Sequence, residues 1–246
     1  MANPAGPMRG WNWDGFFGYF ANTYLLGGAL VTIGLTVATL FLGMALATVL
    51  VVFRLSGYRP LRWIAAFHVW FFRGTPLLVQ LVIIFTGLPQ LGLVRLSVLQ
   101  SALLGLTLNE AAYLSEILRS GLSAVPAGQR DAARALGLHR LQAFRLVVLP
   151  QALRVVVPAL GNSVNGLLKT TSITSVISME ELLRRGQTLM QVHFDVLEIF
   201  VCISIIYLAM TTVWEAIQRR IEAYYDRAYV LVAPRRAGGT LDRDDR

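Results

Sequence analysis

Two charged side chains, Arg73 and Glu110, fall inside apolar stretches of the sequence, where they could recognise a charged solute. At a helical rise of about 1.5 Å per residue, Arg73 lies roughly 16 Å along the chain from Arg62, and Glu110 roughly 13 Å from Arg119. The hydrocarbon core of a bilayer is about 30 Å thick, so both groups are predicted to lie near its middle, where a charge is costly and indicates function. An arginine binds a carboxylate through two parallel hydrogen bonds, and a carboxylate accepts an ammonium group. We therefore predict that at least one of the two contacts a solute, unless they simply pair with each other.

The residues that follow Arg73 predict a helix that is broken near the middle of the membrane. Pro76 lacks a backbone donor and disfavours helical geometry at Thr75. A break at this depth leaves free backbone groups and helix ends that face a cavity. We expect Thr75 and Gln80 to add hydrogen bonds to a solute bound there.

A second set of polar side chains lies on a later apolar stretch. Asn165 lies roughly 16 Å from Arg154 along a helix, which is the predicted depth of Arg73. The candidate solute-binding side chains of this stretch are Asn162, Asn165, Thr171 and Ser172. Such groups often serve helix packing alone, at about 1 kcal/mol per hydrogen bond. The roles of Lys169, roughly 22 Å from Arg154, and of Glu110 stay open.

The composition indicates a chain that is dissolved in lipid. Of its 246 residues, 55% are hydrophobic and 15% are charged, against about 25% charged in soluble domains. We predict an all-α, polytopic membrane protein with five transmembrane helices in a domain covering residues 22–228. The five predicted spans are 25–53, 63–88, 96–119, 152–177 and 196–217.

The basic residues predict the orientation of these spans. Of the 22 Lys and Arg residues, 16 fall in segments on one predicted side, four on the other, and Arg73 and Lys169 within the membrane. The positive-inside rule therefore places the N-terminus outside and the C-terminus in the cytoplasm. The net charge of +8 then follows from topology and does not indicate nucleic-acid binding. The aromatic segment 1–21 is predicted to lie at the outer interface, and residues 229–246 to form a disordered tail.

The sequence lacks the motifs of an enzyme. Its single lysine, Lys169, follows Leu168, so the chain has no Walker A phosphate-binding loop. It also lacks the His-Glu-x-x-His and Gly-x-Ser-x-Gly patterns of hydrolases, and the lone Cys202 excludes a Cys-based zinc site. We expect no catalytic residue, metal or cofactor on this chain, so an ATP-driven step would need another polypeptide.

The polar segment 123–150 is predicted to form two short helices at the cytoplasmic face. Pro126 suits the start of the first helix, and Gly137 allows the turn between the two. The first helix presents small residues that permit close approach of a partner, although the hairpin could simply cap the bundle. The candidate docking residues are Asp131, Ala132, Ala133, Gly137 and Leu138.

This segment resembles the EAA loop of ABC importer permeases. The resemblance rests on Asp131-Ala132-Ala133, on Gly137 and on Leu149-Pro150, with Asp131 in place of the usual Glu. In that family, the loop docks into a groove on a cytoplasmic ATPase and transmits its motion.

A wider stretch, residues 109–183, is similar to the permeases for polar amino acids. The motif Arg73-Gly74-Thr75-Pro76 fits the same family, whereas Thr170 stands after Lys169 where the commoner pattern has Asp. The resemblance implies the membrane subunit of an ATP-driven importer of polar amino acids in the inner membrane of a bacterium. It also implies an ATPase dimer that holds ATP and Mg, a second permease chain that is identical or homologous, and an external binding protein.

Two other functions remain open from the residues alone. A secondary carrier driven by protons or sodium would use Glu110 as its proton site but leaves segment 123–150 unexplained. An intramembrane enzyme would need a nucleophile–base pair or metal ligands, and the sequence shows none at suitable spacing. The identity of the transported amino acid is left undetermined.

Overall fold

The computed structural model describes residues 10–230, with side chains to residue 225, and within that range its regular elements are all helices. The predictions for residues 1–9 and for the tail beyond Val230 lie outside the described residues. The helices are α1 (Trp13–Phe20), α2 (Thr23–Leu55), α3 (Arg59–Gly74), α4 (Leu77–Val82), α5 (Leu88–Gln90), α6 (Val98–Ala124), α7 (Ala127–Ala135), α8 (Arg140–Ala143), α9 (Leu149–Thr170), α10 (Leu182–His193) and α11 (Val196–Val230). Two π-helical segments (Ile83–Gly87 and Phe144–Val148) and a 3₁₀ segment (Thr171–Ile177) join neighbouring helices.

Long apolar helices confirm a polytopic membrane protein. Among the described residues, three helical stretches are long and apolar enough to cross a bilayer, namely Thr23–Leu55, Arg140–Ile177 and Val196–Tyr225. The pair Arg59–Gly74 and Leu77–Gln90, bent by 107°, makes a fourth candidate. The remaining predicted span, α6, has 27 residues but buries several polar side chains. The count of five is compatible with this arrangement and stays a prediction.

The second short helix of the cytoplasmic segment does not end before the next span. Residues Arg140–Ile177 form one continuous helical path of 38 residues, in which α8 passes through the π-helical segment into α9. Pro150 lies directly after the π-helical segment, where the regular pattern of backbone hydrogen bonds is already altered, so its missing donor is tolerated. The loop is therefore joined to a membrane helix without a flexible linker.

Helix α6 lies at the centre of the bundle, against α2 and α9. Small residues make these contacts close: a Cβ on Gly43 of α2 would lie 3.6 Å from the backbone nitrogen of Ala111 on α6. At Gly121 of α6, a Cβ would come within 3.1 Å of the carbonyl oxygen of Ala152 on α9. Close packing through small residues is the usual means of helix association in lipid, where the hydrophobic effect gives no driving force.

The predicted break lies at Thr75 and Pro76, and the side chain of Gln80 spans it. The Gln80 amide nitrogen lies 3.1 Å from the carbonyl oxygens of both Phe72 and Thr75, and 2.8 Å from the Thr75 hydroxyl oxygen. The Gln80 carbonyl oxygen accepts a hydrogen bond from the amide of Asn109 on α6 at 3.1 Å. Gln80 is only 4% exposed. It therefore satisfies backbone groups freed by the break and holds both half-helices against α6.

A buried carboxylate positions α10 beside α2 and α11. Glu181 is completely buried and accepts hydrogen bonds from the backbone N–H of Arg184, at 2.8 Å, and from the Tyr207 hydroxyl, also at 2.8 Å. The Thr32 hydroxyl of α2 lies 3.4 Å from the same carboxylate. Glu181 thus caps the first turn of α10 while joining it to two long helices.

We expect substitution of Gly28 to separate α10 from α2. A Cβ on Gly28 would lie 2.9 Å from the backbone Cα of Leu182, whereas a Cβ on Gly34 of the same helix would meet nothing within 4 Å. Gly28→Ala should lower the midpoint of thermal unfolding, since overpacking costs about 1–3 kcal/mol. Gly34→Ala should leave the midpoint unchanged or raise it, because alanine favours helix. Equal midpoints for the two variants, measured in detergent, would refute this packing.

We expect Gln80→Leu to lower the stability of the protein by removing the hydrogen bonds that span the break between α3 and α4. The leucine would leave the carbonyl of Phe72 and the amide of Asn109 with fewer partners, and an unsatisfied buried polar group costs about 1–3 kcal/mol. The matched control is Gln90→Leu, because Gln90 is exposed on α5. A lower unfolding midpoint for Gln80→Leu alone is the predicted result, and an unchanged midpoint would show that Gln80 does not hold the break.

Candidate functional site

A cavity of about 800 Å³ lies between the break, α6 and α9. Four of the eight predicted solute-binding residues line it: Arg73 and Thr75 at the break, Glu110 on α6 and Asn162 on α9. Arg73 and Thr75 come from the end of α3 and the break, and the other two come from α6 and α9, which are distant in sequence. The structure therefore brings a cation, a carboxylate and neutral polar groups to one cavity.

Arg73 lies in the last turn of α3 and extends over the ring of Tyr113, with its guanidinium carbon 5.4 Å from the ring centroid. This is a cation–π contact, which orients the guanidinium without neutralising it. Within the described part of the chain, Arg73 makes no ion pair, so the alternative in which it pairs with Glu110 is not the observed arrangement. The hydrogen-bond donors of Arg73 remain open to the cavity.

Glu110 is 8% exposed and lies between α6 and α9. One of its carboxylate oxygens accepts a short hydrogen bond from the hydroxyl of Ser163 on α9. Ser163 also lines the cavity, and sequence reasoning missed it. The signal in the sequence was its position next to Asn162. On a helix, Ser163 also shares a face with Gly166 and Leu167, which line the same cavity.

Two other predicted residues, Asn165 and Ser172, lie on a different face. They line a separate cavity of about 530 Å³ between α9 and α11, together with Lys169 and Glu215. The amide of Asn165 donates to the Glu215 carboxylate at 3.1 Å. Asn165, Lys169 and Ser172 follow a spacing of four and then three residues, which keeps them on one stripe of the helical path. Helix α9 therefore carries two polar faces.

The remaining two predicted residues are buried in packing. Thr171 is completely buried, and its hydroxyl donates to the backbone carbonyl of Leu168 at 2.9 Å. Gln80 lies behind the break, as described above. The structure thus places Arg73, Thr75, Glu110 and Asn162 on the wall of one cavity, and the other four predicted residues do not line it, although Gln80 contacts Thr75 from behind the break.

The hairpin formed by α7 and α8, predicted to be cytoplasmic, is closed by Gly137, whose φ angle is +77°. The N–H of Gly137 donates to the carbonyl of Arg134 at 2.9 Å, and the N–H of Leu138 donates to that of Ala133 at 3.1 Å. This pair of bonds is the Schellman ending of a helix, in which glycine avoids the steric cost of left-handed geometry.

Helix α7 has an exposed side and a packed side. Ala132 is exposed and Leu136 is 80% exposed, whereas Ala133 is 2% exposed. The two alanines predicted to contact a partner therefore lie on different sides of the helix, with Ala133 packed inward. The outward side carries small residues at helical spacing, namely Gly128, Ala132 and Ala135. Asp131 pairs with Arg134 on the exposed surface at 3.3 Å.

The described residues offer no site for a metal ion, because no group of three His, Cys, Asp or Glu side chains within them is suitably placed.

Comparisons with known proteins agree with this architecture. The arginine transport system permease protein ArgU of Corynebacterium glutamicum is 36% identical over 233 residues, which are 88% of this chain and 73% of that protein. The L-cystine transport system permease protein TcyB of Bacillus subtilis is 40% identical over 205 residues, 82% of this chain and 87% of that protein. A solved amino acid ABC transporter, crystallised with histidines, contains a chain that superposes with a TM-score of 0.82 at 31% identity, over 88% of this chain and all of that one.

The family described as binding-protein-dependent transport system inner membrane component matches residues 39–226, which include the break, α6, the hairpin and α9. These are the elements that form the central cavity and the cytoplasmic hairpin. The chain belongs to this family of ABC importer permeases.

Proposed function

We propose that this chain carries an amino acid through the cavity beside Arg73, as the membrane-spanning permease subunit of an ATP-driven importer. The relatives named above are permeases of arginine and cystine transport systems, which supports an amino acid as the solute. Family membership favours this function over a gradient-driven carrier and indicates transport rather than catalysis.

The observation that carries the proposal is an unpaired guanidinium over a cavity of about 800 Å³ that also contains a buried carboxylate. An amino acid presents a carboxylate and an ammonium group. Arg73 suits the carboxylate, since its planar fork donates two parallel hydrogen bonds. Glu110, which accepts a hydrogen bond from Ser163, suits the ammonium group. Because an α-ammonium satisfies Glu110 as well as a basic side chain does, this pair alone does not select a cationic amino acid.

The hairpin provides the route for coupling to ATP hydrolysis. We propose that a cytoplasmic ATPase dimer, holding ATP and Mg, docks on the outward side of α7, where Gly128, Ala132 and Ala135 allow close approach. Because α8 continues into α9, movement of the hairpin would move the helix that carries Asn162 and Ser163. Rocking of α9 would then open the cavity to one side of the membrane or the other.

The family supports the remaining proposed partners, and the distribution of basic residues supports the proposed orientation. The chain is a multi-pass protein of the bacterial inner membrane. We propose that two permease chains enclose the pathway, that an external binding protein delivers the amino acid, and that the N-terminus lies outside. The exposure of Arg73 on a single chain is consistent with a cavity that a second chain completes.

We expect Arg73→Ala to reduce uptake of labelled amino acid into proteoliposomes by at least about tenfold. Hydrogen bonds to charged groups contribute about 1.5–3 kcal/mol, and the alanine removes two of them. Arg73→Lys should keep part of the activity, since it retains the charge but not the fork. Arg95→Ala removes an exposed arginine from the loop before α6 and should leave uptake unchanged. Normal uptake by an assembled Arg73→Ala complex would contradict the carboxylate-binding role.

We expect Gly137→Val to uncouple ATP hydrolysis from the solute. A β-branched residue at a φ of +77° costs about 1–2 kcal/mol and would distort the end of α7. Solute-stimulated ATPase activity in liposomes should fall at least about tenfold, or the ATPase should fail to co-purify. Gly57→Val, in the other cytoplasmic turn, adds the same side chain where nothing lies within 4 Å and is the control. Full coupling in Gly137→Val would show that the hairpin does not transmit motion.

A further inference from the structure

A second basic site lies at the cytoplasmic end of the bundle. A cavity of about 630 Å³ opens between the ends of α2 and α6 and the inner side of the hairpin formed by α7 and α8. Four arginines line it: Arg119, Arg130, Arg134 and Arg140. Apart from Ser123, apolar residues form the rest of its wall, so the cavity combines a concentrated positive charge with a hydrophobic surface.

The positive charge of this cavity is only partly neutralised. Glu116 binds Arg119 at 2.8 Å and is also bound by Arg54, so one carboxylate serves two guanidinium groups. Arg134 pairs with Asp131, but both side chains are highly exposed, at 73% and 68%, and an exposed pair is weak.

The other two arginines have no acidic partner within the described residues. Arg130 donates to the backbone carbonyl of Leu122 at 2.6 Å, which orients its guanidinium but leaves the charge in place. Arg140 begins α8 and is exposed. The cavity therefore retains a surplus of positive charge and free donors for an anionic ligand.

The arginines do not share the side of α7 that carries the small residues. One stripe of α7 lines the cavity and consists of Ala127, Arg130 and Arg134. Their spacing of three and then four residues places them on one side of the helix. Gly128, Ala132 and Ala135 form the opposite, exposed stripe. The cavity thus lies on the side of α7 that faces the membrane helices.

We expect the cavity to lie at the depth of the headgroup layer of the cytoplasmic leaflet. Leu55 is the last residue of α2, and Arg119 lies near the cytoplasmic end of α6. Both line the cavity, so it lies where the two helices leave the membrane. Leu55 is 67% exposed and Phe144 is 40% exposed, which gives an apolar surface continuous with the cavity.

We propose that this cavity binds the phosphate group of an anionic membrane phospholipid, with the glycerol and the start of the acyl chains against Leu55 and Phe144. Arginine binds phosphate through paired hydrogen bonds, and anionic lipids concentrate at basic cavities between helices on the cytoplasmic side. A free phosphate would use the arginines but not the apolar wall. The bound headgroup braces α7 against the ends of α2 and α6, on the side away from the proposed ATPase contact.

The test measures lipid binding to the full chain purified in detergent with its co-expressed ATPase. Native mass spectrometry would follow a titration with dioctanoyl phosphatidylglycerol, with dioctanoyl phosphatidylcholine and with inorganic phosphate. The variant is Arg130→Gln with Arg140→Gln, and the control is Arg62→Gln with Arg145→Gln, which removes the same charge from cytoplasmic arginines outside the cavity. This readout does not depend on transport, so it can fail while the proposed function stands.

The variant should bind phosphatidylglycerol about 25-fold more weakly than the natural chain, since each arginine near an anionic lipid contributes about fivefold. The control should stay within about twofold, and phosphatidylcholine should bind weakly to all three proteins. Equal affinity for the two lipids, or an equal loss in the control, would overturn the proposal. So would displacement of the lipid by inorganic phosphate at equal concentration, which indicates a free-phosphate site. Loss of the ATPase from the variant with unchanged lipid binding would instead assign these arginines to the ATPase contact.

Discussion

The side chain of Gln80 closes the gap that Thr75 and Pro76 open in a membrane helix, and the position of Arg73 depends on it. In a bilayer there is no water to satisfy the backbone groups that a break releases, so they must find partners within the protein. Gln80 provides them, and its link to Asn109 fixes the bend against α6. The 107° bend redirects the chain after Arg73, so that the end of α3 and the start of α4 line one cavity with α6 and α9.

The same constraint explains why polar groups collect around α6. Its inner faces carry Asn109, Glu110 and Glu116, each with a hydrogen-bond or ion-pair partner on a neighbouring helix or at the cytoplasmic end. A helix of this composition cannot face lipid on those sides, so it occupies the centre of the bundle. Small residues such as Gly43 and Gly121 then let α2 and α9 approach it closely. The cavity is the space left where the broken helix interrupts this packing.

The sequence was sufficient for the break and for much of the cavity, because both follow from local chemistry. Proline breaks a helix wherever it stands in the interior, and a charge at membrane depth must face protein or water, so Arg73, Thr75 and Glu110 could be predicted together. The sequence did not predict that Asn162 and Asn165 line different cavities. They differ by three positions, and only the packing of α9 between α6 and α11 decides that one faces the cavity and the other faces Glu215.

Other features depend on contacts distant in sequence and gave no local signal. The buried carboxylate of Glu181 meets Thr32 and Tyr207, which lie far from it along the chain. The structural role of Gln80 was likewise invisible, since a glutamine near a break serves a solute or the backbone equally well. Gly137 was enough to predict the turn of the hairpin. The sequence did not predict that α8 continues into α9, because a proline such as Pro150 commonly marks the start of a new helix.

The central claim is that the amino acid is bound between Arg73 and Glu110 rather than in the second polar cavity beside Lys169. A cryo-electron microscopy structure of the complete transporter with a bound amino acid in the membrane domain tests this directly. We expect the solute carboxylate to lie within about 3 Å of the Arg73 guanidinium nitrogens, with the ammonium group toward Glu110. Density for the solute against Asn165, Lys169 and Ser172, with Arg73 still over Tyr113, would contradict it.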